Sequence, residues 1–257
     1  MNHFIISWGG NKRREFKYIE NHLSLDNKIN IIETFCGSSA ISFNIWLKHG
    51  NKFNYYLNDL DNDLFKIYEV IKNDDINELY DKLNSIISIS NTKETFKEMV
   101  KVYKNDNDIY KRIALLQLAF RSNSLRAIDI KSLNKNNIKP TKLKSLFFDF
   151  IKSPNVFITN DDWYDCYNRH KDDNQSLFIF DPPYINSDNI DFYKKECCNL
   201  SIYDKLDEIK NDKASCIFII EKIDKIEELF KNWNILTEYD KIYAIKQRKT
   251  KHIVYSN

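Results

Sequence analysis

Short apolar runs alternate with longer amphipathic stretches through most of the chain, the pattern of strands buried in a sheet and helices packed against it. The apolar runs fall at Lys28–Glu33, Phe53–Asn58, Asn155–Thr159, Leu177–Phe180 and Ser215–Ile220, and each predicts a strand. Helical spacing follows at Phe16, Ile19 and Leu23, at Ile41 and Ile45 with Gly50 as C-cap, and at Leu60, Leu64, Ile67 and Ile71. It returns at Leu143, Phe147 and Phe150, over 201–210, and at Ile226, Leu229 and Phe230. Two last strands, Asn234–Asp240 and His252–Ser256, stand close enough to pair as a hairpin.

The alternation stops between residues 74 and 120. Apolar residues recur there only at helical spacing: Ile76, Leu79, Leu83 and Ile86; Phe96, Val100 and Tyr103; Ile109, Ile113, Leu116 and Phe120. An all-helical insertion between strands of the sheet is the expected result. It ends on Arg121-Ser122-Asn123-Ser124-Leu125-Arg126, and a polar Asn/Lys-rich stretch, 129–142, leads out of it.

The residues that follow each strand carry the chemistry. Leu177–Phe180 runs into Asp181-Pro182-Pro183-Tyr184. Proline cannot extend a ladder and pushes its predecessor toward extended backbone, so Asp181 is expected at the strand's carboxyl end, on a stiff loop closed by an aromatic ring. In open α/β sheets ligands bind at that edge. The first strand meets Thr34-Phe35-Cys36-Gly37-Ser38-Ser39-Ala40 and then a helix, the opening unit of a nucleotide-type α/β fold. The second ends at Asn58-Asp59-Leu60-Asp61, with Asp59 lying 22 residues beyond Gly37. An acid in that place holds ribose hydroxyls or caps the helix that follows. Ser7-Trp8-Gly9-Gly10-Asn11-Lys12 precedes a helix, either as an ordinary turn or as a close approach for a ligand that Lys12 could reach. Lys246-Gln247-Arg248-Lys249-Thr250-Lys251 is a solvated turn or, if the strand before it runs parallel to its neighbours, a basic loop beside Asp181 placed to meet phosphates.

Composition sharpens this in one respect. The chain has 4 glycines and 4 prolines in 257 residues, where average usage would give about 18 and 13. Gly9, Gly10, Gly37, Pro182 and Pro183 therefore sit where the motifs are, in a chain that avoids these residues elsewhere. The net charge of +2 permits a polyanionic partner without arguing for one. Five cysteines (36, 166, 197, 198 and 216), odd in number and without paired C-x-x-C spacing, suit reduced thiols and an intracellular location. His and Cys residues form no ligand-spaced cluster, so no metal is expected. No apolar stretch approaches the roughly 18 to 20 residues of a membrane span, and the first residues do not read as a secretory signal.

Taken together, the motifs resemble the Dam-like DNA adenine-N6 methyltransferases, over nearly the whole chain and in one order. Trp8-Gly9-Gly10-Asn11-Lys12 is similar to the family's Gly-Gly-x-Lys element, and Phe35-Cys36-Gly37-Ser38-Ser39 resembles its Phe-x-Gly-x-Gly turn, with Ser39 in place of the second glycine. Asn58-Asp59-Leu60-Asp61 resembles the ribose acid, Asp162-Trp163 the Asp-aromatic pair, and Asp181-Pro182-Pro183-Tyr184 the catalytic tetrapeptide. Chance would place that tetrapeptide in on the order of one chain per thousand of this length.

The resemblance implies a Rossmann-like, doubly wound, mostly parallel sheet with an antiparallel C-terminal strand and a helical insertion. Residues 1–73 and 140–257 would form the catalytic domain, and residues 74–139 a target-recognition insertion. The cofactor implied is S-adenosylmethionine, lined by Trp8, Lys12, Phe35 and Gly37, with Asp59 on its ribose, Asp162 at its adenine end and Asp181 at its methionine part. Asp181, Pro182 and Tyr184 would act on an adenine flipped out of double-stranded DNA, and Arg121, Asn123, Arg126, Arg248 and Lys249 would contact the DNA. A cognate restriction endonuclease as partner, a monomeric or weakly dimeric state, and a bacterial or viral source belong to the same picture. Two other readings are a silent relative that binds DNA or cofactor without turnover, and an RNA adenine methyltransferase. A metal-dependent nuclease is disfavoured, because no second carboxylate is spaced near Asp181 as a metal pair would need.

Overall fold

In the computed structural model, the described residues are 12–89, 92–103, 108–118, 146–184, 200–242 and 249–257. They form two compact units: one spans 12–61 and 155–257, and the other holds residues 62–154.

The larger unit is built on a seven-stranded sheet. Its strands are β1 (Asn30–Glu33), β2 (Asn54–Asn58), β3 (Val156–Thr159), β4 (Ser176–Phe180), β5 (Ser215–Glu221), β6 (Asn234–Ile242) and β7 (Lys249–Ser256). Their spatial order is β3-β2-β1-β4-β5-β7-β6. The first five are mutually parallel, and β7 runs antiparallel between β5 and β6. This is the doubly wound, mostly parallel sheet with one reversed strand that the motif order implied. Because β6 is antiparallel to β7, it runs with β5, so its carboxyl end opens on the same edge as that of β4.

Strand composition explains the burial. β4 is Ser-Leu-Phe-Ile-Phe, wholly buried, and β5 is nearly so. Period-two alternation sends Phe178, Phe180, Phe218 and Ile220 to one face, where α8 (Trp163–Asn168), α9 (Leu206–Asn211) and α10 (Asp224–Leu229) cover them. Phe180, immediately before Asp181, stacks on Phe218 at 4.5 Å and meets Trp163 and Tyr167 edge-on or tilted. Such pairs are each worth about 0.5–1.5 kcal/mol beyond their burial, and here they fix the point from which the Asp181 loop departs. The opposite face carries α1 (Phe16–Ile19) and α2 (Ala40–His49). The Ser42 N–H at the start of α2 donates to Glu33, and Tyr18 of α1 stacks on Tyr239 of β6 at 4.9 Å.

Local differences from the sequence expectation have simple causes. The helix after Lys12 is one turn that tightens to a 3₁₀ turn at Glu20–His22. Helix α8 has no counterpart in the periodicity, since six residues are under two turns. The final strand starts at Lys249 rather than His252, its polar lead paired as Asp240↔Lys251 and Lys241↔Thr250. Gly50 ends α2 at φ 57, as the C-cap reading required.

The smaller unit is helical: α3 (Asn62–Asn73), α4 (Ile76–Ile89), α5 (Lys93–Tyr103), α6 (Ile109–Leu118) and α7 (Leu146–Lys152). Asp75 caps α4 by accepting from the Asn77 and Glu78 N–H groups. The buried stripe of α4 is Leu79, Leu83 and Ile87, with Ile86 at its margin. Arg112 of α6 pairs with Asp63 of α3, and the Tyr110 hydroxyl donates to Asp74 at 2.6 Å.

Candidate active site

The carboxyl ends of β3, β2, β1 and β4 lie side by side, and each delivers one of the motif residues. Asn58, the last residue of β2, ties three of these ends together. Its amide donates to the Thr34 carbonyl at 3.1 Å and the Asp161 carbonyl at 3.0 Å. Its oxygen accepts from Thr159 Oγ1 at 2.7 Å and from the Asp161 N–H at 2.9 Å. Asn58 is fully buried, so these bonds are made without competition from water. It carries no motif signal beyond standing before Asp59.

The turn after β1 is held from the same side. The Gly37 N–H donates to Asp59 Oδ2 at 2.9 Å, and the Asp61 N–H to Asp59 Oδ1 at 3.0 Å. Asp59 therefore braces the glycine turn through both of its carboxylate oxygens. Gly37 has φ 47 and Ser39 has φ 51, so the residue at the family's second-glycine position adopts the left-handed backbone that glycine favours. Phe35 is half-buried in this turn. Asp162 caps α8 through its side chain, which accepts from the Tyr164 N–H at 2.9 Å.

At the end of β4, Asp181 meets Lys12. The Lys12 ammonium is ion-paired with Asp181 Oδ2 and lies 3.0 Å from the Tyr184 hydroxyl, which in turn donates to Asp181 Oδ1 at 3.1 Å. Lys12 is 3% exposed, whereas the Asp181 side chain retains 22%. The acid is therefore reachable from outside while its partner is enclosed. Tyr203 donates to the Pro183 carbonyl at 3.4 Å and steadies the loop from below. Burial, and then Asp181, push the Tyr203 phenol well above its ordinary range.

Two further acids lie under this cluster. Glu33, the last residue of β1, accepts the Ser42 N–H at 2.7 Å. Burial raises its carboxyl to about 7; Ser42 pulls it back, Asp181 adds to the rise and Lys12 opposes it. Glu15 pairs with Lys241 at 2.6 Å. Burial lowers the Lys241 ammonium to about 8, Lys12 adding to the fall and Glu15 resisting it. Neither acid was singled out by motif.

Lys12, Asp181, Pro182 and Tyr184 thus form one group, and Phe35, Gly37 and Asp59 a second at the adjoining strand ends, with Asp162 beyond them on β3. Lys249 opens β7 on the same sheet edge and is exposed. Trp8, Arg121, Asn123, Arg126 and Arg248 lie outside the described residues. Among the described residues no helix is long and apolar enough to cross a membrane, and no group of His, Cys, Asp or Glu is arranged for a metal ion.

Strand order 3-2-1-4-5-7-6, a glycine turn on β1 and an acid-Pro-Pro-Tyr loop on β4 flanking the switch point define a Rossmann-like fold of the methyltransferase type. The family model for D12 class N6 adenine-specific DNA methyltransferases matches residues 8–245. The chain belongs to that family, and the Dam-like resemblance holds. A search of curated proteins returned no match.

Proposed function

We propose that the chain transfers a methyl group from S-adenosylmethionine to the N6 amino group of an adenine extruded from double-stranded DNA. The observation that carries this is the Lys12–Asp181–Tyr184 group at the switch point of a sheet whose chain belongs to an adenine-methylating family. The cofactor reading is supported by the row of strand ends. Asp162, Asp59, the Phe35–Gly37 turn and Asp181 follow β3, β2, β1 and β4, and three inter-strand steps span about 14 Å. An elongated nucleoside with an amino-acid tail fits that row, its adenine end at Asp162, its ribose at Asp59 and its charged tail near Lys12 and Asp181.

S-adenosylmethionine would supply an electrophilic methyl group on a sulfonium. The chain's own work is to make a poor nucleophile adequate. The adenine amino lone pair is delocalised into the ring; the Asp181 carboxylate and the Pro182 carbonyl would accept its two hydrogens and draw the lone pair toward the methyl carbon. With the new N–C bond formed, the sulfonium would be the leaving group and keep the S–C electron pair as a neutral thioether. The positive charge then on N6 is relieved when one amino proton passes by way of the Asp181 carboxylate to water. Tyr184 would stack on the extruded base, which leaves the duplex to reach the site. Lys12 fixes the orientation of the acid. Arg121, Asn123, Arg126, Arg248 and Lys249 are proposed to contact DNA, with residues 74–139 as the recognition insertion.

The test is transfer of labelled methyl from S-adenosylmethionine to duplex DNA, with sequencing of modified adenines. Wild type is expected to mark adenines within a defined sequence, and Asp181→Ala to mark none while melting normally. Methylation of RNA alone, no transfer to any duplex, or an active Asp181→Ala protein would overturn the proposal.

A further inference from the structure

Glu15 is a buried carboxylate that the proposed reaction does not use, yet it lies one turn from Lys12. The N–H groups of Glu15 and Phe16 both donate to the Lys12 carbonyl, at 3.1 and 2.8 Å, so Glu15 and Lys12 share one rigid turn. The Glu15 side chain reaches across to the C-terminal hairpin. It accepts from the Tyr239 hydroxyl at 2.9 Å, pairs with Lys241 at 2.6 Å, and stands 3.5 Å from His252 Nδ1. Tyr239 and His252 are register partners on β6 and β7, and so present their side chains on one face.

His252 completes the circuit. It is fully buried, and its ring meets the Tyr184 ring edge-on, with centroids 5.4 Å apart at 86°. The Glu15 carboxylate and the Tyr239 hydroxyl both stand 3.5 Å from Nδ1, so the imidazole is packed between these groups and the Tyr184 ring. Lys12 and Tyr184, which both touch Asp181, are thereby braced from behind: Lys12 through its own turn, and Tyr184 through the edge of His252.

We propose that Glu15 and His252 are positioning residues, Glu15 fixing the turn that delivers Lys12 to Asp181 and His252 fixing the ring plane of Tyr184. The inference rests on the proposed methyl transfer for its kinetic consequence, and on geometry alone for its structural one. Removing Glu15 by itself would strand Lys241 in a buried site, so the informative variants are His252→Leu, His252→Phe and the double change Glu15→Gln with Lys241→Met.

The experiment has two readouts. In steady-state methylation of duplex DNA, His252→Leu is expected to lower kcat at least tenfold with the KM for S-adenosylmethionine within twofold of wild type. His252→Phe, which keeps a ring edge against Tyr184, is expected to recover most of the loss, and the double variant to lose kcat as His252→Leu does. In ¹³C spectra of labelled tyrosine and lysine, the Tyr184 signal should shift in His252→Leu and the Lys12 signal in the double variant, assigned by Tyr184→Phe and Lys12→Arg. Wild-type kcat in His252→Leu and the double variant overturns the proposal, as does equal damage in His252→Leu and His252→Phe. Should wild type transfer no methyl group, the methylation reading fails and the spectra decide alone: unmoved Tyr184 and Lys12 signals overturn the positioning role, and shifted signals support it.

Discussion

The Gly37 N–H donates to the Asp59 carboxylate at 2.9 Å, which bolts the turn after β1 to the acid after β2. In the proposed cofactor site the same residue is the acceptor for ribose. Asp59→Ala is expected to weaken S-adenosylmethionine binding about tenfold or more, roughly 1.4 kcal/mol, because it removes an acceptor for ribose and loosens the turn together. Asp59→Asn, which keeps one acceptor oxygen, should fall between. Calorimetric titration checks this; unchanged affinity in Asp59→Ala would remove Asp59 from the cofactor site.

Ser39 holds φ 51 and ψ 33, a conformation that costs a side-chain-bearing residue about 1–2 kcal/mol. Ser39→Gly removes that cost but adds freedom to the unfolded chain, for an expected net gain of about 0.5–1 kcal/mol. Ser39→Val should destabilise by more than that, since a β-branched residue tolerates the left-handed region least. Urea midpoints of the two variants should therefore move in opposite directions.

Asn58 makes four hydrogen bonds from a site with no exposure. Asn58→Ala strands several of those partners and is expected to cost about 3 kcal/mol. Asn58→Asp should cost at least as much, because a carboxylate oxygen would then face the Thr34 and Asp161 carbonyls where an amide donated. Equal stability of Asn58→Asp and wild type in thermal melts at neutral pH would refute the clamp.

Glu33 sets a pH dependence of stability. Its carboxyl is raised from 4.5 to about 7 by burial first of all, so between these values the folded state holds a proton that the unfolded state has released. The stability this proton contributes is complete below about 4.5 and is lost as pH rises through about 7, a change on the order of 3 kcal/mol. Glu33→Gln should flatten the fall between pH 5 and 7 in denaturant titrations. An unaltered slope in that variant would place the proton elsewhere.

Sequence pattern reached those parts of the site that are local in the chain. Asp181-Pro182-Pro183-Tyr184 announces itself because a buried apolar run, a carboxylate and two prolines are contiguous, and Gly37 and Asp59 follow strands that are equally plain. Glu15 and Tyr239 were not legible: 224 residues separate them, and each looks like an ordinary polar position in an amphipathic element until the sheet order brings β6 beside α1. Glu33 and Asn58 were hidden differently, as polar ends of apolar strands whose partners lie on other strands. Helix α8 escaped because its one clear signal, Asp162 as N-cap, coincided with a motif read for its chemistry.

Strand β7 lies between β5 and β6 although it follows both in the chain. During folding β6 thus has no sheet neighbour until β7 exists, and the two are expected to form first as a local hairpin that docks onto β5 in a single late event. Tyr239, Lys241 and His252 travel with it. Assembly of the braced acid would then be the last step of folding, and loss of the β5–β7 ladder would silence the site while the β1–β5 sheet persists. Native-state hydrogen exchange should show β6 and β7 opening together, ahead of β1 and β4.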